Sequence, residues 1–429
     1  MHLILRRARI AWLVAAMASP LGALAAGAPL GLAEAQSLAV ARSPQVAGLG
    51  HAADAARETA VAAGELPDPT LKMQIQNLPL DGPDAFSLTG DFMTMRSIGV
   101  MQELTGRDKR ELRARHSGLE AEKSLAQRSL AIANVLRDAA LAWLDRRYSE
   151  AMRAAIDEQA NAARMQIEAA DSAYRAARGS QADVFAARSA VAMLEDRASE
   201  ADRRIRAAKL ALARWIGADA ERPLAGEAPI DRPPLPEHDL RAHIERHPDL
   251  EVLEKREEIA ANDVKLAAAA RHPDWSVELM YSQRGPAFSN MVSIGVSVPL
   301  PWDRPHRQDR EVAAKLALQE QAREEREDML RAHVADVGAM MAEWRAGRER
   351  LGRYAKEILP LAAQRTQAAL AGYRGGKSSL VEVLAARRDE LDARLQALQL
   401  EWDNARAWAQ LAFLIPGEDP ARMNMKEMK

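Results

Sequence analysis

The tetrapeptide Ser-Ile-Gly-Val occurs twice, at Ser97 and at Ser293, and each copy is followed by a turn and a long charged, alanine-rich stretch. The echo continues on both sides. Upstream, "LPDPTLKMQIQNL" (Leu66 to Leu78) faces "HPDWSVELMYSQ" (His272 to Gln283), and the loop "GPDAFS" at Gly82 faces "GPAFSN" at Gly285. Downstream, "YRAARGSQADVFAAR" from Tyr174 aligns without a gap on "YRGGKSSLVEVLAAR" from Tyr373. Further back, "ARSPQV" (Ala41) faces "ERHPDL" (Glu245). A duplication restricts the fold to two copies of one unit. The expected organisation is a first repeat over 35–225, a Pro-rich linker over 226–236 and a second repeat over 237–415, with a flexible tail over 416–429.

Within each copy, a stretch of about 70 residues (Asp108 to Ala177, Arg307 to Gly372) carries almost no helix breakers. As a helix it would run on the order of 100 Å. Each stretch ends at a glycine-containing break, "ARGSQ" or "RGGKSS", after which a shorter helix returns. In the first returning helix Val184, Val191, Leu194, Ala198, Ala201, Ile205, Ala208, Leu212 and Trp215 follow a heptad seam. Leu384, Leu391, Leu395, Leu398, Trp402, Ala405 and Ala409 repeat it in the second copy. Aromatics make up 4% of the chain and charged residues 28%, which suits long helices with narrow apolar seams better than a thick globular core. The fold class expected is mainly α with a small β part.

The segments around Ser-Ile-Gly-Val have a period of two instead. Val292, Ile294, Val296 and Val298 alternate with Met291, Ser293, Gly295 and Ser297, and Leu71, Met73 and Ile75 with Lys72, Gln74 and Gln76. Strands are expected at about 70–78, 92–104, 275–283 and 291–300, near the length that crosses a bilayer when tilted. Four such strands cannot close on themselves, and open edges in lipid leave backbone groups without partners at several kcal/mol each. Several chains would have to pool their hairpins.

The N-terminus reads as an export signal over 1–25: Arg6, Arg7 and Arg9 precede the apolar "IAWLVAAMA", and Ala23 to Ala25 offer a small-residue cleavage site. The sequence has no cysteine, so neither a disulfide nor a Cys-linked lipid anchor is expected. With 59 basic and 61 acidic residues the net charge of −2 gives no nucleic-acid footprint.

These features resemble the TolC family of outer-membrane efflux proteins. The resemblance spans about 35–415 and rests on the duplicated unit, the Pro-Asp before each first strand, and "YRGGKSSLVEVL" (Tyr373 to Leu384). It implies a homotrimer in which the strands close a 12-stranded β-barrel in outer-membrane lipid, standing on a periplasmic α-helical barrel. It also implies an exit duct that works with a periplasmic membrane-fusion adaptor and an inner-membrane pump of the resistance–nodulation–division class. The turn "VSVPLPWDRPHRQDREVAA" (Val296 to Ala314) resembles that of the heavy-metal branch, of the cobalt–zinc–cadmium and copper–silver type, and implies metal cations as cargo. Drug or polypeptide export by the same fold is the alternative.

By the same resemblance the tips Arg178, Gly179, Ser180 and Gly375, Gly376, Lys377, Ser378 would dock the adaptor. Asp183 and Glu382 would form an acidic gate at the periplasmic mouth, Ala385 standing where a second acid often falls. The competing reading makes both acids helix-start residues favoured by the dipole. Tyr174 and Tyr373 are expected to pack beneath the tips.

Other candidates read as structural. His238, His243 and His247 have a spacing that could place imidazoles together, but His247 precedes Pro248 and a surface position is expected. The thioethers of Met423, Met425 and Met428 suit Cu(I) but fall in the tail, and Met93, Met95 and Met101 are expected to line a barrel interior. No catalytic triad, phosphate loop or metalloprotease motif is present, so neither an enzyme nor a cofactor or metal site is expected. A periplasmic coiled-coil adaptor that never enters a membrane would share the heptads but has no use for four bilayer-length strands.

Overall fold

The computed structural model describes residues 28–232 and 244–414. The export signal, the tail with its methionines, His238, His243 and part of the linker lie outside the described residues.

Helix α1 (Leu32–Arg42) and helix α2 (Pro44–Gly64) lead into strands β1 (Thr70–Gln76) and β2 (Met95–Leu104). Helix α3 (Arg107–Arg175) then runs 69 residues without interruption, and α4 (Gln181–Ile216) returns along it. The order recurs with α5 (Pro248–Ala269), β3 (Trp275–Gln283), β4 (Met291–Ser297), α6 (Gln308–Arg353), α7 (Leu359–Arg374) and α8 (Leu380–Ala412). At 1.5 Å per residue α3 is about 100 Å long.

The second long stretch departs from expectation. A π-helical turn, Tyr354–Ile358, separates α6 from α7, and the Leu359 N–H reaches back five residues to the Tyr354 carbonyl. Pro360 is the physical reason: it has no N–H to return to the preceding turn, and a widened turn absorbs the loss.

Long helices need tertiary burial, and most of it comes from one core. Leu30, Trp143, Leu144, Leu212, Ile216, Val337, Trp408 and Leu411 are almost fully buried together. The Trp143 indole N–H donates to the Leu30 carbonyl at 3.2 Å, and Leu30 bridges Leu224 in parallel, so the two ends of the first copy are tied together. Across the copies, the Tyr148 hydroxyl donates to Glu401, and the Trp402 indole and Arg406 both donate to Asp145. Helix α3 therefore packs against α2 and α4 of its own copy and α5 and α8 of the other.

The strands form one antiparallel sheet in the order β1-β2-β3-β4, so the two hairpins are already joined. Three strands are shorter than expected. Asn77 enters a positive φ of 54° and closes β1, while the Asp91 carboxylate accepts from the N–H groups of Met93 and Thr94 and holds a turn until Met95. Pro299 and Pro301 follow the end of β4. Met93 consequently sits before the strand, not in it.

Register divides the faces cleanly. Leu71 pairs with Val100, Val100 with Leu279 and Leu279 with Ile294; Met73, Ile98, Tyr281 and Val292 form the next row. All eight are exposed. A contiguous apolar surface of this extent marks contact with lipid or protein. The other face carries Lys72, Gln74, Ser97, Glu278, Ser282 and Ser293, with Met95 and Met101 among them. Ser97 and Ser282 share a hydrogen bond at 2.8 Å. Lys72 on β1 reaches Glu278 on β3 at 2.6 Å, crossing β2 beside Gly99, which offers no side chain to obstruct it. Among the described residues β1 and β4 each have one partner strand, leaving an open edge on either side.

Candidate functional site: a sheet mounted on helical hairpins

Three places carry the functional geometry: the sheet, its junction with the helices, and the far tips.

At the junction, Asp274 of the second copy's Pro-Asp accepts from the Gly106 N–H at 3.0 Å, where α3 of the first copy begins. The Lys109 ammonium lies 2.9 Å from the same carboxylate and donates to the His272 carbonyl at 2.5 Å. The Lys109 side chain is only 9% exposed, so the clasp supplies the partners that water cannot. In the second copy the Pro-Asp thus ties the start of β3 to the start of α3.

At the tips, both helical hairpins turn in the same way. In the second copy Gly376 adopts φ +70°, its N–H bonds the Tyr373 carbonyl, and the Lys377 N–H bonds the Gly372 carbonyl. In the first copy the left-handed residue is Ala177 at φ 55°, not Gly179. The Ala177 N–H bonds Tyr174 and the Arg178 N–H bonds Ala173. A left-handed non-glycine costs about 1 kcal/mol or more. Gly179 is needed for space instead, because a Cβ there would stand 3.1 Å from the Ala173 Cβ.

Ser180 caps α4 in a capping box: its hydroxyl accepts from the Asp183 N–H, and the Asp183 carboxylate accepts from the Ser180 N–H and hydroxyl at 2.9 and 2.7 Å. The hydroxyl and amide of Ser180 hold the Asp183 carboxyl below the usual carboxylate range. Ser379 caps α8 by accepting from the Glu382 N–H at 3.3 Å, and Ser378 bonds the Ala369 carbonyl. The Glu382 carboxylate itself has no hydrogen bond or ion pair among the described residues. The two acids therefore differ. The Asp183 carboxylate is tied to the start of its helix, and the Glu382 carboxylate is not.

The structure brings the tips together. Val184 and Val383, each beside one of these acids, are buried in a common cluster with Ala170, Ala187 and Leu380, flanked by Tyr373. Tyr373 packs as expected. Tyr174 does not: it is 46% exposed, whereas the second copy's Tyr373 and Leu370 pack against this cluster. Arg178, Gly179, Gly375, Gly376 and Lys377 lie on the exposed turns.

One group of residues contradicts its expected surface place. His247 is 8% exposed and caps α5. Pro248 begins that helix rather than ending one, as proline at a first helical position does. Sequence reasoning missed its neighbours, Asp249 and His333, since the latter comes from α6.

No helix among the described residues is long and apolar enough to cross a membrane.

Residues 240–417 match the family described as outer membrane efflux protein. A comparison with curated protein sequences gives no match. Among solved structures, the outer membrane protein VceC of Vibrio cholerae superposes with a TM-score of 0.73 at 16% identity, covering 90% of this chain and 97% of its own. The outer-membrane channel CmeC of Campylobacter jejuni gives 0.73 at 14%, covering 92% and 88%. CusC, described in terms of folding and transmembrane channel formation, gives 0.74 at 17%, covering 90% and 92%. The chain thus carries the pattern of the outer membrane efflux protein family over 240–417 and the fold of these channels over most of its length.

Proposed function

We propose that this protein is a passive exit duct: three copies pool 3 × 4 strands into a 12-stranded barrel in the outer membrane, over a helical tunnel through the periplasm. The observation that carries this reading is a four-stranded sheet with an apolar outer face and two open edges, mounted on helices of about 100 Å. Lone in lipid, those edges would cost several kcal/mol per unpaired group; joined β4 to β1 around a ring, they cost nothing. The polar face then lines the pore and the apolar rows meet lipid.

The duct performs no chemistry. Energy comes from an inner-membrane pump of the resistance–nodulation–division class, and the tips at Arg178–Ser180 and Gly375–Ser378 dock the adaptor between them. Glu382 and Asp183 constrict the periplasmic mouth, where three copies of each carboxylate repel one another and attract cations. Heavy-metal cations are the cargo, a reading supported by the Val296–Ala314 turn.

Reconstituted in planar bilayers, the protein should conduct, and Glu382→Ala with Asp183→Ala should raise the single-channel conductance. Unchanged conductance defeats the gate; release of the protein from membranes by alkaline wash, without detergent, defeats the duct. A deletion strain with unaltered sensitivity to zinc, cobalt, cadmium, copper and silver removes the metal cargo.

A further inference from the structure

Where α5 begins, His247, Asp249 and His333 offer ligand atoms that all lie within 4.8 Å of one another. They form the one such group among the described residues. The imidazole rings of His247 and His333 lie 4.6 Å apart between centroids, tilted by 37°, and His333 Nε2 stands 3.3 Å from Asp249 Oδ2. A tetrahedral ion with bonds of about 2.0–2.1 Å spaces its ligands roughly 3.3 Å apart, so one pair is already at coordination distance.

We propose that His247, Asp249 and His333 form a binding site for a divalent transition-metal cation of the zinc class, clipping the start of α5 to α6. Two imidazoles and a carboxylate are a recurrent three-ligand set for zinc with an open fourth position for water. The nearby Arg137 guanidinium is itself engaged by Asp138 at 2.9 Å, which moderates its repulsion of a cation. Asp249 and His333 keep 32% and 20% of their side-chain surface exposed, so an ion has a way in.

The duplication supplies an internal comparison. In the first copy Ser43 stands where His247 stands, capping α2 by accepting from the Val46 N–H, and Gln45 stands for Asp249. The stretch of α3 that corresponds to His333, residues 134–137, reads Asn-Val-Leu-Arg and has no imidazole or carboxylate. Helix capping at this joint therefore needs no histidine, and capping alone does not account for the three groups. Metal binding does carry one cost. His247 Nδ1 accepts from the Asp249 N–H at 3.2 Å. Coordination through either ring nitrogen gives up that bond, a neutral one that nets about 1 kcal/mol and that a metal bond exceeds.

The site stands or falls independently of whether the chain conducts. The test uses the untagged, detergent-solubilised full chain, stripped with chelator and titrated with zinc alone against a chromophoric competitor. One zinc per chain is expected, and cobalt should give the intense visible bands of a nitrogen-containing tetrahedral site. The double variant His247→Ser, Asp249→Gln installs the first copy's own residues and so keeps the cap. It should retain helical circular dichroism and lose at least tenfold in zinc affinity, as should His333→Gln. Equal zinc affinity in wild type and the double variant overturns the proposal, and so does a wild type that takes up no zinc.

Discussion

Gly99 and Gly295 occupy the same place in the repeated tetrapeptide, yet the structure sets them very different tasks. A Cβ on Gly99 would fall 2.7 Å from the Leu279 carbonyl oxygen and 3.1 Å from both Cα and Cβ of Met280. Two of those atoms are backbone of the paired strand, so relief requires the β2–β3 ladder to widen. A Cβ on Gly295 would meet only Glu278 Cβ, at an ordinary 3.6 Å. Overpacking of this kind costs about 1–3 kcal/mol, roughly a 5- to 150-fold loss in the folded-to-unfolded ratio. Gly295→Ala, by contrast, relieves a strand of glycine's chain entropy, a gain of about 0.5–1 kcal/mol. Denaturant unfolding in detergent, followed through the β-sheet circular dichroism, compares the three proteins directly. Gly99→Ala should unfold at distinctly lower denaturant than wild type. If its midpoint coincides with that of wild type, the close approach at β2–β3 is not a packing constraint and the reasoning fails.

Three further outcomes follow from the junction, the tip and the α5 cap. Asp274→Ala strands the Lys109 charge in a nearly closed site, and should cost about 3 kcal/mol; Lys109→Met in the same chain should recover part of it in the same unfolding assay. Ala177→Gly removes a left-handed alanine and should raise stability by up to about 1 kcal/mol, read as greater protection of tip amides from hydrogen exchange. The His247 pKa falls from 6.5 to about 4 on folding, so between those values the unfolded chain binds more protons. Stability is whole above about pH 6.5 and declines as pH drops toward 4. The full decline is about 3 kcal/mol before solvent screening is allowed for. With His333, Asp249 and Arg137 facing the ring, His247→Ser should flatten that slope in acid-unfolding curves.

Much of this fold is written in local periodicity, and what is not local was hidden. The α4 seam is buried as its heptads indicate, at Val184, Val191, Ala198, Ala201, Ala208 and Leu212. In α8 the same reasoning is blunter: Leu384, Leu395, Leu398 and Trp402 are only half-buried, while Leu380, Val383 and Trp408 are fully buried. A heptad describes one partner, and α8 packs against α3, α6 and α7. The gap at Tyr354–Ile358 was visible in principle through Pro360. Ala177 was not, because glycine two residues on drew the turn to itself. His333 lies far along the chain from His247, beyond any rule of spacing. Of the tip acids, the Ser-x-x-Asp pattern marked the Asp183 capping box, but nothing local distinguished Glu382 as the acid left free.

The two open edges of the sheet are unlike: β1 on one side, β4 on the other. A head-to-tail contact of this kind says nothing by itself about how many subunits make a ring; the angle between neighbours decides that. In the proposed ring it would also make every subunit answerable to two others. A chain whose β4 was spoiled would still offer a sound β1 to a healthy companion and be accepted there. If such chains were as abundant as intact ones, random mixing would leave about one ring of three in eight free of them. Damage to that strand should therefore be inherited as a dominant trait.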